Sequence, residues 1–384
     1  MKILLAFDKF KGALSAGEAC RIAAEVLRRE RPGDEREEAP LTDGGEGFAP
    51  ILAGAVDGRL DVHPVRGPKG RTVQAPLGWV DGAALSPATR NILGGGEGER
   101  IAVVEMAAAS GLPLLAPSER DPWATSSFGT GELIRIAARE GADRIVLGIG
   151  GSATNDLGCG ALEALGVRFL DSAGRPVEAV RPDRFGEVEG IVFPPGGIPP
   201  VVIASDVRNP LLGPDGATAV FGPQKGLAEV APMEVAAERM ALRLAFSAGN
   251  APDPAAARMG AAGGIAFGLG CLGGVRLVSG FSLVSEWIGL PRKLAEASWV
   301  LSGEGKFDGG SLSGKGPFAV LREARRHGAG LALFAGALRA DPTAELGDCY
   351  RAELSDPSWP LETALSRTKE RLAAEIARWA RSLP

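Results

Sequence analysis

The chain has 384 residues, a net charge of −5 at neutral pH and 45% hydrophobic residues. A chain of this length exceeds the size at which a single core usually splits, so we expect two domains. The acidic balance disfavours nucleic acid as a partner. The hydrophobic content disfavours disorder, and without an apolar run of about 18 residues we expect no membrane span.

The first residues predict a strand, a loop and a helix. Lys2–Phe7 is a short apolar run, and the polar loop Asp8–Gly12 follows it. Ser15 and Glu18 have the spacing of a capping box, so we expect the first helix to begin there. A second acidic, glycine-rich loop occupies Thr42–Gly47.

The middle of the chain has a different sequence pattern. Residues 60–120 contain short apolar segments interrupted by Gly and Pro, which predict partly antiparallel strands of a second domain. From Thr130 the chain returns to an alternation of helices and strands. We expect Thr130 to cap a helix that runs to Glu140, with Gly141 as its terminator, and a strand to follow at 144–150. Residues 228–248 predict a long helix.

The segment Ile145–Asp156 carries the strongest functional signal. An apolar run leads into glycines and then into Ser152, Thr154, Asn155 and Asp156. Glycine allows backbone N–H groups to approach an anion closely, and the polar side chains add hydrogen bonds. We therefore predict a phosphate-binding site at the end of a buried strand.

The same pattern recurs further along the chain. Val201–Ala204 leads into Ser205–Pro210, and Trp299–Leu301 leads into Ser302–Asp308. Open α/β sheets form ligand crevices from loops at the carboxyl ends of their strands. These loops are therefore predicted to contribute to a common site.

One segment resembles a P-loop in spacing. Gly309–Lys315 fits the pattern G-x-x-x-x-G-K, but Gly316 stands where a P-loop has the Ser or Thr that binds Mg²⁺. We expect no true P-loop here, although Lys315 can bind phosphate as a point charge.

A second pattern leaves an alternative function open. Gly148, Gly150 and Ala153 fit G-x-G-x-x-A, and Asp171 follows at the distance of a ribose-binding acid. The alternative is an NAD(P)-dependent dehydrogenase that uses this turn. It gives no role to the polar residues that follow Ala153 or to the other polar loops.

Histidine and cysteine chemistry is disfavoured. His63 and His327 belong to no recognisable constellation, and the four cysteines are widely separated in sequence. We therefore expect neither a Ser-His-Asp triad, nor a zinc centre, nor a disulfide framework, and we expect a reducing cytoplasm. The remaining carboxylates, lysines, hydroxyls and glycines fit Mg²⁺-assisted phosphoryl transfer.

Long motifs also resemble a known family, the type-1 glycerate kinases. They occur in the family's order over roughly residues 1 to 318, at residues 6–16, 43–47, 105–112, 128–134, 148–156, 205–211, 221–226, 260–264 and 302–315. Lys9 stands where the family often has serine, and the chain diverges beyond about residue 337.

The resemblance implies an ATP-dependent kinase for D-glycerate, with 2-phosphoglycerate as the usual product and 3-phosphoglycerate as the other possibility. It also implies an α/β fold with the active site in a cleft between two domains. We expect a Rossmann-like parallel-sheet domain, discontinuous in sequence, at 1–62, 125–170 and 285–384, and a second mixed α/β domain at 63–124 and 171–284. The expected ligands are D-glycerate, ATP and Mg²⁺. We expect a cytoplasmic monomer or homodimer that binds neither nucleic acid nor membrane.

Residue chemistry assigns candidate roles at this site, with Asp43 as general base and Asp206 as a metal-associated acid. The full set of candidates is Asp8, Lys9, Asp43 and Asp206 for catalysis; Lys11, Glu46, Arg208 and Asn209 for substrate binding; Gly150, Gly151, Ser152, Thr154, Asn155, Lys225 and Lys315 for nucleotide binding; and Asp156, Asp206 and Asp308 for the metal.

Overall fold

The computed structural model describes residues 1–313 and 316–383. Its strands are β1 Lys2–Phe7, β2 Glu35–Glu38, β3 Arg59–Arg66, β4 Thr72–Asp81, β5 Arg100–Glu105, β6 Arg144–Gly148, β7 Arg168–Leu170, β8 Gly190–Val192, β9 Val201–Ala204, β10 Val275–Val278, β11 Trp299–Phe307, β12 Gly330–Leu338 and β13 Tyr350–Glu353. Its helices are α1 Ala16–Glu30, α2 Phe48–Gly54, α3 Pro87–Leu93, α4 Met106–Ser110, α5 Phe128–Arg139, α6 Cys159–Ala164, α7 Ala217–Phe221, α8 Val230–Ala248, α9 Ile265–Cys271, α10 Gly280–Trp287, α11 Leu290–Glu296, α12 Gly316–Arg326, α13 Thr343–Leu346 and α14 Leu361–Ser382.

The chain forms two compact units. Unit 1 comprises Met1–Thr42 and Val284–Pro384, and unit 2 comprises Asp43–Leu283. Each unit contains its own sheet with helices packed against it. The predicted α/β class with two α/β domains, one of them discontinuous, is confirmed.

Unit 1 is built on a parallel sheet in the order β13-β12-β11-β1-β2. β1 is apolar and almost wholly buried, as expected for a parallel strand that has helices on both faces. On one face, Trp299 of β11 packs against Trp379 of α14. Phe307 at the end of β11 packs against Phe318 of α12.

The strand order of unit 1 reverses between β1 and β11. From β1 the chain crosses through α1 to β2 on one side, and from β11 it crosses through α12 to β12 on the other side. In open α/β sheets, a crevice forms at the carboxyl ends of the two strands where the order reverses. In unit 1 this position lies beside Asp8 and Glu304.

Unit 2 has a mixed sheet in the order β10-β9-β6-β5-β4-β3. β10, β9, β6 and β5 are parallel, whereas β4 and β3 are antiparallel. β7 and β8 form a separate two-stranded sheet. The antiparallel strands lie within the region where Gly and Pro interruptions predict them.

The unit boundaries differ from the predicted domain boundaries. The prediction placed residues 43–62 and 125–170 with the first domain, whereas both segments belong to unit 2. The reason is strand pairing, because Leu147 of β6 lies opposite Val104 of β5 on one side and Ile203 of β9 on the other.

Most local predictions agree with the structure. Ser15 and Glu18 form the capping box of α1, and the predicted long helix corresponds to α8. The predicted cap at Thr130 is wrong, because α5 already begins at Phe128. The Thr130 hydroxyl is instead buried and lies 2.8 Å from the hydroxyl of Ser110.

Candidate active site

The parallel strands of unit 2 end at one edge of its sheet. β5 ends in Glu105, β6 leads into Ile149–Asp156, and β9 leads into Ser205–Asn209. Because carboxyl ends of neighbouring parallel strands meet at the same edge, these loops lie side by side.

The acidic loop that begins at Asp43 packs on this same edge. The Gly150 N–H donates to the Gly44 carbonyl over 3.0 Å, and the Glu105 carboxylate accepts from the Ala49 N–H at the start of α2 over 3.2 Å. Asp43 is therefore held beside the ends of β5 and β6.

The glycines of the β6 loop are explained by this packing. A Cβ at Gly148 would lie 2.5 Å from the Gly44 carbonyl oxygen, and a Cβ at Gly150 would lie 2.7 Å from the backbone nitrogen of Gly45. Both distances are shorter than any real contact, so a larger residue would separate the two loops. The glycines bring two protein loops together, which differs from the predicted close approach to a phosphate.

Two acids face outward at this edge of the sheet. Asp43 is exposed, and its Oδ1 accepts from the Gly45 N–H over 3.1 Å. Asp206 is half-buried, and it accepts from the Ser279 hydroxyl at 2.7 Å and from the Phe281 N–H at 2.8 Å. Both carboxylates are thus fixed in orientation by hydrogen bonds.

The predicted substrate residues of unit 2 also lie in these two loops. Glu46 and Arg208 are exposed. The Asn209 side chain donates to the Asp215 carbonyl over 2.7 Å, so its amide is already engaged in holding its own loop. Arg208 places a positive charge two residues from Asp206.

The polar residues at the end of the β6 loop are buried. Thr154, Asn155 and Asp156 are at most 1% exposed, and Ser152 is 6% exposed. The Asn155 amide donates to the Thr218 hydroxyl over 3.0 Å. Gly151, by contrast, is exposed at the tip of the loop.

Asp156 is surrounded by hydrogen-bond donors. Its carboxylate accepts from the backbone and the hydroxyl of Ser127 at 2.8 and 2.7 Å, and from the N–H groups of Gly158 and Gly160, both at 3.2 Å. Complete burial raises the pKa of Asp156, and the four donors act in the opposite direction. The predicted metal role of Asp156 stays a prediction that this packing disfavours.

Lys225 is buried rather than presented to solvent. It is 2% exposed, and its ammonium donates to the Thr154 carbonyl over 2.6 Å. Burial lowers the pKa of Lys225 to about 8, although the Asp156 charge favours the protonated amine. In this conformation its amine is turned toward the β6 loop.

Unit 1 gathers a second set of charged residues at the carboxyl ends of β1 and β11. Asp8 accepts from the Lys9 N–H over 2.7 Å, and the Lys9 amine lies 3.9 Å from the same carboxylate. Lys11 is exposed. Asp308 is paired with Lys306 at 2.9 Å, which lowers the pKa of Asp308. Lys315 lies outside the described residues.

Glu304 is a residue of this set that the sequence reasoning missed. It lies in the segment Ser302–Asp308, which the sequence predicts as a polar loop after a strand, with no role given to Glu304. Burial, together with the nearby carboxylates of Asp8 and Asp308, raises the pKa of Glu304 to about 7. A carboxyl group that changes charge near neutral pH is typical of functional sites.

The structure thus divides the predicted site residues between two sheet edges. In unit 2 it brings together Asp43, Glu46, Gly150, Gly151, Ser152, Asp206 and Arg208. In unit 1 it brings together Asp8, Lys9, Lys11 and Asp308. Within residues 1–313 and 316–383, no three His, Cys, Asp or Glu side chains converge in a ready-made metal site.

Known proteins were compared with the chain at the levels of sequence and structure. The pattern of the glycerate kinase family matches residues 3–383. Glycerate kinase from Bacillus subtilis is 36% identical over 388 residues, which covers 98% of this chain and 97% of the relative. Glycerate 2-kinase from Escherichia coli is 35% identical, with 89% of this chain and 86% of the relative covered.

The chain belongs to the glycerate kinase family.

A crystal structure agrees with this assignment. The structure described as glycerate kinase 2 from Salmonella typhimurium LT2 has a TM-score of 0.75 and 35% identity, and covers 100% of this chain and 98% of its own. The protein is therefore an ATP-dependent kinase. The family match extends to residue 383, well beyond the motifs that end near residue 315.

The dehydrogenase alternative finds no support in either the family or the fold. A dinucleotide-binding turn leads directly into a helix, whereas α6 begins only at Cys159, after the buried polar residues. Asp171 follows β7, which pairs with β8 and not with β6. Asp171 therefore does not stand at the end of the neighbouring strand, as a ribose-binding acid does.

The helices were also considered as possible membrane-spanning segments. Among the described residues, no helix combines the length and apolar character that crossing a bilayer requires.

Proposed function

We propose that the protein transfers the γ-phosphoryl group of ATP to the C2 hydroxyl of D-glycerate and forms 2-phosphoglycerate. The observation that carries this proposal is the placement of Asp43, Asp206 and Arg208 in adjoining loops at one sheet edge. The relative named glycerate 2-kinase supports the choice of hydroxyl.

Arg208 is proposed to bind the carboxylate of glycerate. It is exposed and lies two residues from Asp206, so a substrate bound to the guanidinium is held close to the acids. A guanidinium can form two parallel hydrogen bonds to a carboxylate, which fixes orientation as well as position. Glu46, in the neighbouring loop, is proposed to accept from the substrate hydroxyls.

Asp43 is proposed as the general base. Its exposed carboxylate accepts the proton of the attacking hydroxyl as that oxygen bonds to the γ-phosphorus and the bond from phosphorus to the β,γ-bridging oxygen breaks. The Gly45 N–H holds one carboxylate oxygen, which orients the group. General bases in such positions contribute roughly a hundredfold or more to turnover.

The donor chemistry at this edge fits a magnesium ion that is shared with the nucleotide. Mg²⁺ usually binds one or two carboxylates and completes its octahedron with phosphate oxygens and water. Asp206 is the proposed ligand in unit 2, and Asp308 in unit 1 stays a sequence-based prediction for metal binding. When bound, such an ion would neutralise charge on the transferring phosphoryl group.

The nucleotide phosphates are proposed to bind at exposed donors. Gly151, exposed at the tip of the β6 loop, meets this requirement, and Ser152 beside it is 6% exposed. The Gly150 N–H, the Asn155 side-chain N–H₂ group and the Lys225 amine are engaged inside the protein, and the Thr154 hydroxyl is buried. In unit 1, Lys9 stays a sequence-based prediction for catalysis, and Lys315 stays one for phosphate binding.

The experiment is a reaction of the purified protein with ATP, Mg²⁺ and D-glycerate, followed by proton-coupled phosphorus NMR. A phosphate on C2 couples to one proton and gives a doublet, whereas a phosphate on C3 couples to two protons and gives a triplet. We expect ADP and a doublet. A triplet would assign the C3 hydroxyl, and no ADP above the rate without D-glycerate would refute the glycerate proposal.

A further inference from the structure

Lys225 is a fully buried lysine whose position is fixed from both sides. Its backbone lies in a short helical turn, where the Lys225 N–H donates to the Gly222 carbonyl over 2.9 Å and Gly226 adopts a left-handed conformation. Its amine donates to the Thr154 carbonyl over 2.6 Å. The side chain therefore joins this turn to the loop that follows β6.

The Thr154 carbonyl is the part of that loop which Lys225 fixes. Neighbouring residues are held by backbone bonds, from Ala153 N–H to the Ser110 carbonyl and from Leu157 N–H to the Gly263 carbonyl, both at 2.9 Å. A Cβ at Gly263 would lie 2.2 Å from the Thr154 oxygen, so the chain at Gly263 shields this carbonyl on the other side. Lys225 supplies a charge-assisted hydrogen bond to the chain between Ala153 and Leu157.

Burying an ammonium group costs much more free energy than is needed to provide one carbonyl with a hydrogen-bond donor. Removing the charge from water destabilises the folded protein, and a neutral donor could make the same bond. The charge has a counterpart in Asp156, two residues after Thr154, whose buried carboxylate is held by the four donors around it. Opposite charges at the two ends of a three-residue segment orient that segment more rigidly than neutral bonds do.

We propose that Lys225 is a positioning residue for catalysis: through the Thr154 carbonyl it fixes the loop that carries Gly151 and Ser152 at the active edge of unit 2. It acts without touching the nucleotide. This inference rests on the proposed kinase reaction, and it replaces the sequence-based expectation that Lys225 binds the nucleotide directly.

The two roles predict different kinetics. A direct phosphate contact contributes to ATP binding, so its removal raises the KM for ATP. A positioning residue affects the geometry of the reacting groups, so its removal lowers kcat while the KM values for ATP and D-glycerate change little.

The main test is Lys225→Met, which keeps the length of the side chain and removes its donors. We expect kcat to fall about 10- to 100-fold with both KM values within about threefold of the wild type. The thermal midpoint should stay within a few degrees, because the lost hydrogen bond is offset by the removal of a buried charge. The matched control is Lys369→Met, an exposed lysine on α14, which should leave kcat unchanged.

A second variant separates positioning from simple structural support. Lys225→Ala leaves space for a small amine, and n-propylammonium has the atoms that the substitution removes. We expect the added amine to restore kcat in a saturable manner in this variant and not in the wild type.

Three results would overturn the inference. Lys225→Met could keep kcat near the wild-type value, or it could raise the KM for ATP at unchanged kcat. The third is a large drop in the thermal midpoint of Lys225→Met together with no rescue of Lys225→Ala by the amine. The proposed function fails separately, if the wild-type protein does not phosphorylate D-glycerate.

Discussion

The two units place polar residues at the ends of parallel strands in different ways. In unit 1 the loops after β1 and β11 present half-buried or exposed charges, such as Asp8, Lys11 and Asp308. In unit 2 much of the polar sequence after β6 is turned inward, where Asp156 and Lys225 hold the loop from inside. Similar motifs therefore have different structural roles: one set of side chains faces outward from its sheet edge, and the other supports the backbone of its own loop.

The comparison yields a first prediction about the outward-facing acids. Asp43→Asn keeps the oxygen that accepts from Gly45 N–H but removes the basic group, so we expect kcat to fall roughly a hundredfold or more. Steady-state kinetics with saturating substrates measures this effect.

Asp81→Asn is the matched control for this substitution. Asp81 is also exposed and accepts from the N–H two residues later, that of Ala83 at 2.9 Å, but it lies at the opposite edge of the sheet. It should keep normal turnover. Near-normal turnover in Asp43→Asn would remove Asp43 from the role of base.

The second prediction concerns the inward-facing acids. Asp156→Asn places an amide N–H₂ group among four donors, so at least one buried donor loses its acceptor. We expect a loss of about 3 kcal/mol in the free energy of unfolding, measured by urea denaturation.

Asp171→Asn serves as the comparison, because Asp171 also accepts from several donors but does so at the surface. It should lose less than about 1 kcal/mol. Equal losses in the two variants would contradict the role of Asp156 as a buried supporting acid.

The third prediction uses the pH dependence of unit 1. The pKa of Glu304 is raised to about 7 in the folded protein, so folding favours its protonated form. Its contribution to stability is present below its ordinary pKa of about 4.5 and is lost as the pH rises through 7.

Glu304→Gln stays neutral at every pH and should therefore avoid this loss. We expect a stability close to that of the wild type at pH 4.5 and a gain on the order of 1–2 kcal/mol at pH 8, after allowance for partial exposure. Thermal midpoints measured across this range test it, with the exposed Glu370→Gln as control. A difference between wild type and Glu304→Gln that does not change with pH would contradict the assignment.

The smallest predicted effect is on substrate binding. Arg208→Gln removes the charge that is proposed to bind the carboxylate of glycerate, so we expect the KM for D-glycerate to rise about tenfold while the KM for ATP stays the same. Arg243→Gln is the matched control, because Arg243 lies on α8 and is paired with Glu189 at the surface. A change in the KM for ATP alone would place Arg208 at the nucleotide instead.

Much of the fold follows from local sequence, because the patterns that define strands and helix ends extend over only a few residues. The apolar runs at Lys2–Phe7 and Val201–Ala204 become strands with those bounds, and the capping box at Ser15 begins α1. The unit boundaries do not follow from local sequence, since they depend on which strands lie beside β6. Pairing between distant segments produces no recognisable local pattern in one sequence.

The candidate site, like the fold, could be predicted only in part from the sequence. Sequence motifs found the loops that contain Asp43, Asp206 and Arg208, because acids and glycines after an apolar run indicate a strand end. They did not reveal that Gly148 and Gly150 are required by a neighbouring loop, or that Lys225 is buried. Burial depends on what packs around a residue, and that information lies elsewhere in the chain.

The discontinuity of unit 1 has a consequence for biosynthesis. Ile3 lies opposite Trp299 in the sheet, so β11, one of the two neighbours of β1, is made nearly three hundred residues after it, whereas the other neighbour, β2, follows soon after β1. Unit 2 is continuous, and we expect it to fold while the ribosome is still translating the remainder. During that interval the apolar β1 lacks its neighbour β11, and chaperones that bind hydrophobic segments should recognise this open edge in nascent chains.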